Sequence, residues 1–331
     1  MNPFTYVRAA NSDEAIATLK REPQAMLIAG GTNMLDLMKE GVHTPSQLVD
    51  IRKLPSTEIV TKDGGIRMGA AARNSDVAYN SLIQERYPVL SEAILAGASA
   101  QLRNMATVGG NLMQRTRCPY FHDIAFPCNK RQPGTGCAAL EGFNRMHAVL
   151  GTSEHCIAAN PSDMSVALMA LDAVVQTQGS TGERSIPITE FHLLPGDTPH
   201  LETVLEHGEM ITAVDLPAMP FAWRSHYLKV RDRASYAFAL VSAAVVLEID
   251  GEVIRNARIA LGGVGTKPWR SLEAEEVLVS APATEETFAA AADAALREAR
   301  PYRYNQFKIE LAKRTLAEAL KTVAAMSGGQ A

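Results

Sequence analysis

Four cysteines, Cys118, Cys128, Cys137 and Cys156, stand within 39 consecutive residues, and the other 292 positions of the 331-residue chain hold none. Thiols gathered in this way point to shared chemistry, either a metal centre held by thiolates or a pair of disulfides. Their spacing, C-x9-C-x8-C-x18-C, lacks the C-x2–4-C knuckle usual in zinc sites and the C-x-x-C pair of thioredoxin-like redox sites. An iron–sulfur cluster asks only that four thiolates converge in space, which an irregular loop can arrange. Pro119, Pro127, Pro133, Gly134 and Gly136 suit such a loop, and Arg115, Arg117, Lys130 and Arg131 bring positive charge to offset ligated thiolates. His122, His147 and His155 share the stretch and are expected to cap backbone groups rather than bind metal. On spacing alone a metal centre, two disulfides and four unrelated buried cysteines all stay open, as does the identity of any metal.

Two glycine turns carry a second kind of chemistry. AGGTN (29–33) follows the apolar run of residues 25–29 and precedes a helical pattern, so Gly30 and Gly31 free the backbone to approach a ligand. Free N–H groups at the helix start, with Thr32 and Asn33 beside them, suit an anion such as a pyrophosphate. TVGGNL (107–112) repeats this chemistry further along the chain, and two such turns can clamp one dinucleotide from two sides. Neither turn reads G-x-G-x-x-G, so a Rossmann site is not indicated. Each turn also has a plainer explanation as a simple strand-to-helix connection.

These groups need a scaffold. The length fits two or three domains, and 47% apolar with 21% charged residues is ordinary for a packed protein. A net charge of -4 gives no basic footprint for nucleic acid and no polybasic membrane patch. No apolar run approaches the roughly 18 residues of a membrane span, and MNPFTYVRAANSDEAIATL lacks the pattern of a signal peptide. Periodicity predicts strands at 25–29, 47–51 and 66–70, and a helix through Leu19 capped by Ser12 or Asp13. It predicts further helices at 75–85 and 88–99, then an N-capped helix entering a strand at 161–175. After a proline-marked boundary at 217–224 come strands at 226–231 and 236–249, and a strand with a tight turn at 258–269. Alanine-rich helix fills the last 50 residues, with SGGQA as a frayed tail. No internal repeat is visible.

AGGTNMLDLMK (29–39), RNMATVGGNL (103–112), NPSDMSVALMALDAVV (160–175), KVRDRASYAFALVSAAV (229–245) and RIALGGVGTKPW (258–269) together resemble, in order, the FAD subunit of the xanthine dehydrogenase and aldehyde oxidoreductase family of molybdenum hydroxylases. The resemblance spans essentially the whole chain. It implies an α+β fold: a two-part FAD-binding domain of the vanillyl-alcohol-oxidase/PCMH type, at 1–58 and 59–222, and a C-terminal α+β domain of sheet and helices at 223–331. It implies that Met26, Leu27, Ile28, Ala29, Gly30, Gly31, Thr32, Asn33 and Met34 hold the FAD pyrophosphate. Thr107, Gly110 and Asn111 would complete the phosphate and ribityl contacts, with Asp163 near the ribityl hydroxyls. Ile211, Lys229 and Tyr236 fall where the family borders the flavin, each with a plainer alternative as core, strand-end charge or buried aromatic.

One departure from the family pattern is informative. Forty-eight residues separate Leu112 from Pro161, and this insertion at 113–160 holds all four cysteines. Similar insertions in the flavin subunits of 4-hydroxybenzoyl-CoA reductases and periplasmic aldehyde oxidoreductases ligate [4Fe–4S], and RCPYFHDIAFPCNKRQPGTGCAALEGF looks especially like the latter. By that resemblance Cys118, Cys128, Cys137 and Cys156 are cluster ligands. The implied role is electron transfer with no catalytic residue on this chain. A molybdenum-cofactor large subunit, a [2Fe–2S] small subunit and an external electron acceptor would be its partners, in a heterotrimer oxidising aldehydes. A 4-hydroxybenzoyl-CoA reductase-like or xanthine dehydrogenase-like enzyme is the alternative, and a vanillyl-alcohol-type oxidase or a zinc scaffold fits less well. The expected location is the periplasm, by co-export with a signal-bearing partner, with the cytoplasm as the alternative.

Overall fold

The computed structural model describes residues 1–326, so the expected SGGQA tail lies outside the described residues. The first 50 residues alternate strand and helix: β1 (Thr5–Arg8), a helix at Ser12–Arg21, β2 (Ala25–Ile28), a helix at Met34–Lys39 and β3 (Gln47–Asp50). The strands form a parallel sheet with β3 in the centre. As a central strand β3 is buried on both faces, and its last residue, Asp50, is a fully buried carboxylate. Arg52, Tyr6 and Arg8 bond to it, Arg52 most strongly, and hold its carboxyl well below the usual range. The first helix is capped by neither Ser12 nor Asp13: Asn11 Oδ1 accepts from the Glu14 N–H at 2.9 Å. That leaves Asp13 and Glu14 in the first turn, where negative charge suits the helix dipole.

A five-stranded antiparallel sheet follows, built from β4 (Ile59–Lys62), β5 (Gly65–Gly69), β6 (Val174–Gly179), β7 (Gly182–Pro187) and β8 (Met210–Leu216), in the order β4-β5-β8-β6-β7. Between β5 and β6 run several short helices and the whole cysteine stretch. The single helix expected at 75–85 is two, Asn74–Ala78 and Ser81–Arg86, because Asn80 caps the second by accepting from Leu82 N–H at 3.0 Å. The next helix, Pro88–Ala96, stops short of residue 99 at Gly97, and Ala98 turns left-handed at φ +51°.

The third sheet is antiparallel, with β9 (Ser225–Val230), β10 (Val241–Asp250), β11 (Val253–Gly262) and β12 (Trp269–Arg270) in the order β12-β11-β10-β9. Strand β10 divides its side chains by strand alternation. Val241, Ala243, Val245 and Leu247 pack into the core under the C-terminal helices, while Ala244 and Val246 face the core of the second sheet. The expected strand start at 236 is corrected to 241, because 231–240 form a loop in which Tyr236 has φ +52°. The alanine-rich end is likewise interrupted: helices at Glu285–Ala295 and Phe307–Ala324 are separated by a turn containing Pro301. Among the described residues no helix is long and apolar enough to cross a membrane.

Candidate functional site

A cleft of about 870 Å³ is walled by the turn after β2, by Ala106, Thr107 and Gly109–Asn111, by Asp163 and by the 232–238 loop. Its two glycine turns touch. A Cβ placed on Gly30 would overlap the carbonyl oxygen of Met105, and Gly31 sits in the left-handed region at φ +74°. One glycine is needed for close approach and the other for backbone conformation. Around them several donors are left for a ligand. Asn33 Oδ1 accepts from the Arg115 N–H at 2.8 Å, while its Nδ2 is buried without a partner. Asn111 Oδ1 accepts from Gln114 Nε2 at 2.6 Å and Ser162 Oγ at 2.7 Å, so its amide nitrogen remains available. Thr107 Oγ1 accepts from the Gly110 N–H at 3.2 Å and keeps its own hydrogen to donate. Unspent donors beside bare backbone suit the oxygens of a pyrophosphate.

Asp163 opens the helix Asp163–Ala170 and reaches the cleft as the end of a fixed network. Tyr227 donates to its Oδ1 at 2.6 Å and Lys229 to its Oδ2 at 2.8 Å; Lys229 also donates to the Ala96 carbonyl. Burial, and then the Asp163 charge, push the Tyr227 phenol well above its ordinary value, so it stays a donor. The carboxylate thus keeps lone pairs for hydroxyl groups in the cleft. His43 and His192 also line the wall, and burial brings both down to about 4, leaving them neutral near pH 7.

The cysteine stretch contains one short helix, Pro119–His122, and is otherwise irregular. Its four cysteines are all free. They share one small cavity, lined also by Tyr120, Phe121, Ala139 and Ala158, and they pack with Leu37 on the helix Met34–Lys39. The Ala158 N–H donates to the Cys156 sulfur at 3.5 Å, and the Phe121 and Leu140 N–H groups donate to the carbonyls of Cys118 and Cys137. Burial nevertheless pushes the Cys118 thiol up to about 12 and that of Cys156 up to about 11, and raises Cys137. Among the described residues no three His, Cys, Asp or Glu side chains are disposed around a single-ion site. The nearby positive charges have partners of their own. Lys130 and Arg115 both pair with Glu202, Arg131 donates to the carbonyls of Tyr120 and Phe121, and Arg117 lies over the Phe238 ring near Asp36. Lys130 still favours a charged Cys156 through its field.

Residues 2–219 match the family described as the FAD binding domain in molybdopterin dehydrogenase, and residues 226–323 match the CO dehydrogenase flavoprotein C-terminal domain. The chain belongs to the FAD-binding subunits of the molybdenum hydroxylases. It is 53% identical over 322 residues to the aldehyde oxidoreductase FAD-binding subunit PaoB of Escherichia coli, covering 97% of this chain and 98% of that one. It is 27% identical over 278 residues to the glyceraldehyde dehydrogenase medium chain of Sulfolobus acidocaldarius, covering 83% and 81%. Among solved structures, quinoline 2-oxidoreductase from Pseudomonas putida 86 superposes with a TM-score of 0.76 at 26% identity, over 98% of this chain and 97% of that one. The chain is thus a flavin subunit, and the mixed helix-and-sheet fold expected from the sequence is the one observed.

Most residues singled out in the sequence meet at that cleft. Met26, Leu27, Ala29, Gly30, Gly31, Thr32, Asn33 and Met34 line it, as do Thr107, Gly110, Asn111, Asp163, Ile211 and Tyr236. Tyr236 is 55% exposed, so it is a rim residue rather than a buried aromatic. Ile28 and Lys229 are not on the wall: Ile28 packs against Gly31, and Lys229 is drawn onto Asp163. His122 bonds to the Thr116 carbonyl, as expected of a backbone cap, but His155 faces Asp197 and His147 contacts the Cys118 sulfur at 3.1 Å. Tyr227 was missed. Its signal was present, because Tyr227 and Lys229 stand two apart on one strand and share a face.

Proposed function

We propose that this flavin subunit carries electrons away from a molybdenum-dependent aldehyde oxidoreductase that converts an aldehyde to a carboxylic acid. In this reading the chemistry takes place on a molybdenum-cofactor large subunit, and a small subunit with two [2Fe–2S] clusters completes a heterotrimer. The observation that carries it is the 53% identity, along 97% of the chain, to the FAD-binding subunit of an aldehyde oxidoreductase. FAD, when bound, takes up electrons singly or in pairs and passes them to an external acceptor. The chain's own residues hold and orient it. The backbone of Gly30 and Gly31 and the amides of Asn33 and Asn111 receive the pyrophosphate. Asp163, braced by Tyr227 and Lys229, accepts from ribityl hydroxyls. Ile211 and Tyr236 border the flavin end.

We further infer that Cys118, Cys128, Cys137 and Cys156 ligate a [4Fe–4S] cluster. The donor set fits: four free thiols share one cavity, with the Ala158 N–H donating to the Cys156 sulfur and His147 against that of Cys118. Thiols raised by burial ionise when a bound cation takes the proton's place. The likeness of the cysteine run to periplasmic members supports export of the assembled complex on a signal-bearing partner, which cell fractionation checks.

The decisive experiment is an anaerobic visible spectrum of the purified complex, with flavin, iron, sulfide and zinc assayed on one sample. About eight iron per complex, four from the two [2Fe–2S] clusters and about four on this chain, is the expected result. About four iron in total, with flavin present, removes the cluster and leaves the flavin subunit standing. Absence of activity toward aldehydes with full cofactor loading removes the substrate assignment.

A further inference from the structure

We infer that His147 is a positioning residue for the [4Fe–4S] cluster: its Nε2–H donates to the Cys118 sulfur and holds the cluster's reduction potential above the value it would have without that donor. This rests on the cluster reading above. The contact is 3.1 Å long and His147 is 2% exposed, so the ring meets the sulfur out of bulk solvent. A sulfur bound to iron has no hydrogen to give, so the contact survives ligation only with the proton on Nε2. Nδ1, buried without a partner, is then the bare nitrogen.

The ring is held from the far end of the chain. The His147 N–H donates to the Asn144 carbonyl at 3.0 Å. Its own carbonyl accepts from Asn305 Nδ2 at 3.3 Å and from Lys308 Nζ at 3.0 Å. Lys308 is fully buried on the helix Phe307–Ala324 and also donates to the carbonyls of Met146 and Gly263. The C-terminal domain thereby fixes the imidazole against the insertion.

Among the four sulfurs the arrangement is unequal. Cys156 receives the Ala158 N–H at 3.5 Å, whereas Cys118 receives a side-chain donor, His147, at 3.1 Å. Hydrogen bonds to ligating sulfur withdraw electron density and stabilise the more negative, reduced cluster. Removing one donor therefore lowers the potential without removing a ligand.

The test is a redox titration of the assembled complex followed by EPR, on the native protein, His147→Phe and His147→Gln. In His147→Phe, iron, sulfide and flavin are expected to be retained. The one-electron reduction constant of the cluster falls about tenfold, which is 59 mV, with the flavin potential unchanged. His147→Gln, which keeps an N–H donor, recovers part of the shift. An unchanged cluster potential in a fully loaded His147→Phe complex overturns the inference. Equal loss of iron in both variants overturns it too, making His147 a structural staple. A native complex without iron on this chain is a separate result: it removes the cluster reading itself.

Discussion

The cleft between the glycine turns is walled by backbone held at short range, whereas the thiol cavity is walled by side chains hung on a stretch with almost no regular structure. In the cleft the decisive contact is Gly30 against the Met105 carbonyl, which any side chain would obstruct. In the cysteine insertion, carbonyls are tied down by side chains instead: Arg131 on Tyr120 and Phe121, Asn144 on Ala139 and Leu140, and Lys308 on Met146 and His147. A site made of backbone is sensitive to added bulk. A site made of side chains is sensitive to the loss of individual donors, many of them far away in sequence.

If the two sites are built independently, Cys128→Ser should strip the roughly four iron held by this chain while leaving flavin stoichiometry intact, since Cys128 is not on the cleft wall. Loss of flavin in that variant breaks the comparison. The converse is Gly30→Ala, where the new methyl forces the two glycine turns apart. Overpacking of this kind costs about 1–3 kcal/mol, so FAD content should fall by roughly tenfold or more at limiting flavin, with iron retained.

Glu202 sharpens the comparison because it joins the two regions, standing on the cleft wall and pairing with Arg115 and Lys130, both of the insertion. Glu202→Gln leaves two cations facing a neutral amide. With the carboxylate 28% exposed, the cost should be about 2 kcal/mol, below the range for fully buried pairs, read as a lowered unfolding midpoint. Burial alone would raise the Glu202 carboxyl, but Lys130 and Arg115 outweigh it and hold it below 4.5. Its stabilisation is thus full above pH 4.5 and is lost as pH falls through the lowered folded value; Glu202→Gln should flatten that acid limb. The smallest effect is the control: Asn11→Ala, remote from both sites, should cost about 1 kcal/mol of stability through the lost cap and change neither iron nor flavin.

The same contrast governs what could be read in advance. Gly30, Gly31 and Asn111 were legible because a ligand cradle made of backbone requires particular residue types at particular turns. The cysteines were legible because they are the rarest ligands in the chain. Glu202, Lys308 and His147 were not, since each meets its partners across 29 to 162 positions of sequence and nothing local marks it. Element boundaries failed for a different reason. Tyr79 closes one helix and Asn80 opens the next, and Tyr236 takes a left-handed backbone that apolar patterning does not register.

The doorway of the insertion has its own consequence. Ser162 Oγ meets Asn111 Oδ1 at 2.7 Å, and Thr116 Oγ1 meets the Ala159 carbonyl at 3.0 Å, so the chain leaves and re-enters the fold through one stitched neck. Loop-closure entropy grows only logarithmically, about 0.6 kcal/mol for each doubling of length. With the neck shut, a change in the length of the insertion costs little closure entropy, provided its second anchorage, Asn305 and Lys308 on the carbonyls of residues 146–148, is kept. The thiol-bearing segment is in this sense a cassette fastened at two places, the neck and the C-terminal domain.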